Sequence, residues 1–111
     1  MIVAVTEVTL KSVWHLPLFL LLAGCNLLVS KLTKGNLHTS FRSGVLTHRT
    51  LSVWEDYNAM MGYVRSKPHM WAIKMNPRLA KSSYVCHYEA KKKPHWDEAL
   101  KYLNDQGRSS L

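Results

Sequence analysis

The chain has 111 residues, room for one domain, and a chain of this size folding alone removes only about two-thirds of its unfolded surface from water. Its 47% hydrophobic and 20% charged residues describe a folded globule and exclude wholesale disorder. Fifteen Lys and Arg against seven Asp and Glu give a formal charge of +8, but the basic residues are scattered. The one run, Lys91-Lys92-Lys93, reads as a solvated loop, so nucleic acid is not the expected partner, while attraction of an anionic small molecule stays open.

In chain order, Ile2 to Leu10 is rich in β-branched residues and predicts a first strand. Leu16 to Leu32 is a long Leu-rich run that tolerates Pro17 in its first turn and stops at Lys34-Gly35-Asn36, as a helix should. Within it, Leu22-Ala23-Gly24-Cys25 matches the lipid-attachment box of bacterial lipoproteins. Met1 to Leu10 has no basic residue, however, and cleavage before Cys25 would discard the first strand and most of the helix. His15, Pro17 and Asn26 interrupt a stretch already at the lower limit of about 17–20 residues for a membrane span. A buried helix is therefore expected, with no membrane partner. Cys25 and Cys86 both lie in apolar stretches and read as free core thiols, which fits a reducing, cytoplasmic setting.

Leu37 to Arg42 and Val45 to Trp54 are two further strands, joined by Ser43-Gly44 as an antiparallel pair. Glu55 to Arg65 returns to helical spacing, with Tyr57, Met60, Met61 and Val64 on a core-facing stripe. Ser66 and Pro68 open a short helix that Asn76-Pro77 should stop. Tyr84 to Glu89 gives a fourth strand, and Trp96 to Asp105 a closing helix ended by Gly107. The order βαββαβ plus a terminal helix predicts one α+β domain over residues 1–111, with a ferredoxin-like, four-stranded antiparallel sheet and helices on one face. The other face must then be hidden some other way.

The stretch His48 to Asp56, followed by Ala59-Met60-Met61, Tyr63 to Ser66 and His69, resembles the strand-to-helix signature of the dimeric α+β barrel superfamily. The resemblance lies nearest the antibiotic-biosynthesis monooxygenase and spheroidene monooxygenase types. It implies a homodimer whose sheets pack face to face, and in each subunit a pocket between sheet and helices. Its members include cofactor-free oxygenases, haem-degrading oxygenases, haem-dependent dehydratases and proteins with no known activity. The haem-degrading pattern of a first-strand Asn, a helical Trp and a later His is not met: Thr6 and Glu7 stand on the first strand, Tyr63 near the Trp position, and His69 comes early. The expectation is a monooxygenase-like protein without a cofactor, haem binding through His69 being the alternative and a basic interaction protein without catalysis a further one.

Three residues are candidates for proton transfer. His69 and His48 supply imidazoles, the bland reading of His69 being a hydrogen bond at a helix start. Glu7, on a strand covered on both faces, could be desolvated enough to act as a base, the plainer reading being an ion pair with Arg42, Arg49 or Lys11. Trp54, Tyr57, Met61 and Trp71 are the candidate walls of a pocket for a hydrophobic or aromatic small molecule, or else plain core. No helical His pair, Gly-rich phosphate loop or Gly-x-Ser-x-Gly elbow is present, so no metal site is expected.

Overall fold

A computed structural model describes residues 1–109. The sheet is ordered β2-β3-β1-β4-β5 and antiparallel throughout. β1 (Ile2–Leu10) is its centre, running beside β3 (Thr47–Trp54) from Ile2 opposite Trp54 to Thr9 opposite Thr47, and beside β4 (Ala80–Glu89) on its other edge. β2 (Asn36–Ser43) and the two-residue β5 (Arg108–Ser109) form the margins. Four α-helices complete the described chain: α1 (Leu16–Leu32), α2 (Tyr57–Val64), α3 (Lys67–Leu79) and α4 (Trp96–Gln106), with a 3-10 turn at Val13–His15 leading into α1.

Cross-strand partners share a face because side chains alternate along a strand. On one face Val3, Val5, Leu51 and Val53 pack with Ala99 and Leu103 of α4. On the other, Val8 and Leu10 pack with Leu79 and Ala80, against Leu16, Phe19 and Leu22 of α1 and Met75 of α3. The α+β ferredoxin-like reading holds, with two corrections. The sheet has five strands rather than four, since the chain beyond Gly107 returns to pair with Tyr84 and Val85 of β4. The helices are not all on one face: α4 covers part of the sheet face opposite α1 and α3.

Several element boundaries also move. β4 begins at Ala80 rather than Tyr84, because the chain passes from α3 directly into pairing with Leu10. Pro77 does not stop α3, which runs on to Leu79. So near the end of a helix the missing N–H removes one bond in a turn that is already frayed. Ser66 stands at the α3 N-cap, but its hydroxyl donates back to the Tyr63 carbonyl at 2.6 Å instead of capping the new helix. Asp56 caps α2, its carboxylate accepting from the Ala59 N–H at 2.8 Å.

The larger correction concerns α1. Only Asn26 and Ser30 of its seventeen residues are buried, and Leu18, Leu20, Leu21, Leu28 and Leu32 are exposed. Cys25 is likewise on the surface rather than in the core, while Cys86 is half-buried on the α4 face; both thiols are free. Tyr57, expected on a core stripe, is exposed, and Met60 alone of that stripe is buried. A helix apolar nearly all round gives no period from which to tell its buried side, and this one docks through Leu16, Phe19 and Leu22 together with its buried polar residues Asn26 and Ser30.

Candidate functional site

The sheet face beneath α1 carries a polar cluster on β2 and β3. Ser30 Oγ and Thr39 Oγ1 lie 2.8 Å apart, and Asn36 Nδ2 donates to Thr39 Oγ1 at 2.9 Å and to Ser30 Oγ at 3.3 Å. Trp54, fully buried at the end of β3, donates its indole N–H to Ser52 Oγ at 2.9 Å. Each of these groups has a partner, as burial requires.

From Trp54 an aromatic series runs outward. Its ring stacks on Tyr63 with centroids 5.3 Å apart, and His69 meets Tyr63 edge-on at 4.7 Å. The Tyr63 hydroxyl donates to Asn26 Oδ1 at 3.4 Å, and Asn26 Nδ2 donates to the carbonyls of Leu22 at 2.8 Å and Pro68 at 3.3 Å. Asn26 thus ties α1 to the start of α3. Burial pushes the Tyr63 phenol up to about 12, so it stays a donor at neutral pH.

His69 sits in the first turn of α3, its Nδ1 3.1 Å from the Val64 carbonyl. A carbonyl only accepts, so Nδ1 carries the proton and Nε2 keeps its lone pair in the neutral ring. Burial lowers the His69 pKa, the Val64 bond partly opposing. The ring is therefore neutral at physiological pH, with a basic nitrogen available.

Beside Asn26 an open groove of about 610 Å³ runs between α1 and α3. Leu21, Leu22, Cys25, Met70 and Trp71 make it apolar, and Lys67 and Lys74 stand in its walls. A second hollow, of about 460 Å³, lies on the opposite sheet face between β2 and the start of α4, with His38, Arg42, Lys93 and Asp97 among its walls.

The sequence-derived candidates are distributed across this geometry. Trp54 and His69 are brought together through Tyr63, and Trp71 lines the groove. Tyr57 is exposed over β4, 5.9 Å from the His87 ring, and Met61 is half-buried on α2. His48 lies at the other end of β3 from Trp54, six residues and about 20 Å away at strand rise. Its ring packs between Phe19 at 4.5 Å and Phe41 at 6.0 Å; Nδ1 meets Ser43 Oγ at 2.9 Å, and Nε2 is buried without a partner. Glu7 faces the opposite side of the sheet, where Oε2 accepts from Arg49 Nε at 2.9 Å. His69, His48 and Glu7 do not converge.

Asn26 and Tyr63 join the site without having been singled out for it. The legible signal was Asn26, a lone amide in the middle of a Leu-rich helix, which a membrane argument counted only as an interruption.

No known protein family description matches the sequence, and no curated protein matches it. Solved structures do match in fold. An assigned antibiotic biosynthesis monooxygenase from Deinococcus radiodurans superposes with a TM-score of 0.73 at 15% identity, over 86% of this chain and 97% of that one. Rv0793 from Mycobacterium tuberculosis gives 0.73 at 9% identity, over 86% and 100%. SnoaB, a cofactor-independent oxygenase from Streptomyces nogalater, gives 0.64 at 12% identity, over 83% and 94%. The chain has the ferredoxin-like fold of these antibiotic biosynthesis monooxygenase-type structures.

Proposed function

We propose that this protein is a small, cofactor-independent monooxygenase that acts, as a homodimer, on a hydrophobic or aromatic hydroxylated molecule. The observation that carries the reading is the neutral His69, its proton fixed on Nδ1 by Val64 and its Nε2 free, next to the half-buried Tyr63 ring that stacks on buried Trp54. The fold shared with a cofactor-independent oxygenase supports it, and the two free thiols support a reducing, cytoplasmic setting.

The α1–α3 groove is the entrance, its apolar walls matching an aromatic ligand that passes Asn26 toward His69. His69 Nε2 takes the phenolic proton, which raises electron density on the ring. A ring carbon bearing hydrogen then bonds to dioxygen, and loss of water from the resulting hydroperoxide leaves a quinone. One phenol and one dioxygen give one quinone and one water. Haem is the weaker reading, because Tyr63 lies edge-on against the His69 ring, and Thr6 and Glu7 stand on the first strand where the haem-degrading pattern has an Asn.

The test is dioxygen uptake with quinone formation over a panel of polycyclic phenols, with His69→Ala beside the parent chain. Loss of general-base catalysis lowers turnover by about 100-fold or more. Uptake unaffected by the substitution, or absent across the panel, would remove the reading. A saturating Soret band with added haem, lost in His69→Ala, would replace it with haem binding.

A further inference from the structure

The exposed side of α1 and α3 has a composition that a water-facing surface does not need. Trp14 is 88% exposed, Leu32 76%, Trp71 66%, Leu21 65% and Leu28 60%. Leu18, Leu21, Cys25, Leu28 and Leu32 follow one another at steps of three and four, so they form one stripe along α1. The groove extends this apolar surface to Met70 and Trp71 on α3. Val13–Leu32 is apolar and long enough to cross a membrane, and only 11% of its most apolar window is buried, unlike a core helix. Here it lies along the sheet rather than apart from it, with Phe19 and Leu22 packed inward.

The charge around the stripe decides what covers it. Neither α1 nor α3 contains an Asp or Glu, whereas Lys31, Lys67, Lys74 and Arg78 lie on them and Lys67 and Lys74 stand in the groove itself. The whole stretch between Glu7 and Glu55 has no acidic residue. A second copy docked on this face would bring lysines against lysines with no carboxylate from either helix between them. A surface with an apolar interior and anionic heads satisfies both features. Trp14 and Trp71 then lie at the depth that amphipathic indoles favour.

We infer that the α1–α3 face docks on the surface of an anionic lipid bilayer. The apolar stripe enters the headgroup boundary and the lysines meet lipid phosphates. This inference does not depend on the reaction proposed above.

The experiment is co-sedimentation of the full chain with phosphatidylglycerol vesicles and with phosphatidylcholine vesicles, over a range of salt, read together with tryptophan emission. Binding to phosphatidylglycerol, a blue shift, little binding to phosphatidylcholine and release by salt are the expected results. Leu28→Glu, outside the groove, and Lys67→Glu combined with Lys74→Glu each weaken partition on the order of tenfold or more. Val45→Glu, at an exposed apolar position in the β2–β3 turn, leaves it unchanged. Circular dichroism shows that each variant is folded, so lost binding is not lost structure. No sedimentation with phosphatidylglycerol at low salt overturns the inference. So does a dimer that Leu28→Glu dissolves and that a short bis-maleimide links through Cys25, since the stripe would then be covered by a second copy.

Discussion

His48 is 1% exposed, lies between two phenylalanine rings, and keeps Nε2 without a partner, so protonating it would bury an uncompensated cation. Burial lowers its pKa below 6.5, the Val45 backbone partly opposing; burial likewise lowers His69, and burial followed by Lys93 and Lys31 lowers His38. The unfolded chain therefore binds protons at a higher pH than the folded one. Folding stability is level above the ordinary histidine value and falls as pH drops through about 6.5 toward the lower folded-state values. Thermal melts between about pH 8 and pH 5 should show a flat region and then a declining Tm. His48→Leu, close in size and without the buried nitrogen, should shallow that decline; an unchanged slope would mean His48 does not contribute to it.

At the level of elements, strands with β-branched residues and helices with clear stops could be read from the sequence. Ile2–Leu10 and Leu16–Leu32 matched to the residue, and Trp96–Gln106 nearly so. What could not be read was sidedness. In α1 nearly every position is apolar, so the two polar residues that turned inward, Asn26 and Ser30, carried the information. The face chosen by α4 depended on the path of Ala90–His95, which has no periodicity, and β5 is too short to show a pattern. Of the site, His69 and Trp54 were legible because the motif surrounding them was, whereas their link through Tyr63 to Asn26 arises only on folding. Glycines mark a further contrast between elements. Gly35 turns the chain out of α1 at φ +92, and a Cβ there would collide with Ala59, while Gly62 on α2 has nothing within 4 Å of the same atom. Gly35→Ala should cost about 1–3 kcal/mol or more, and Gly62→Ala should gain about 0.5–1 kcal/mol. Urea midpoints measure both, and equal effects would refute the distinction.

For the whole molecule, α4 leaves part of the second sheet face bare. Tyr84 is exposed there, beside the Glu7–Arg49 pair and the Thr9–Thr47 hydroxyl contact. The proposed homodimer covers this region, and sedimentation equilibrium in the absence of lipid should give twice the 12.8 kDa chain mass. A monomer at all concentrations would sink the dimer and leave that face to solvent. The position of β1 has a different consequence, one of timing. The first strand to leave the ribosome is the middle strand of the finished sheet, and its two neighbours lie about 40 and 80 residues downstream. The residue before it is held late as well, the Met1 nitrogen donating to the Ala90 carbonyl at 3.0 Å. Until β3 has been made β1 waits with both edges open, and until β4 has been made with one, while the Leu-rich helix follows it unsupported. A nascent chain of this kind is a natural client for ribosome-associated chaperones, and slowing translation would lengthen its most aggregation-prone interval.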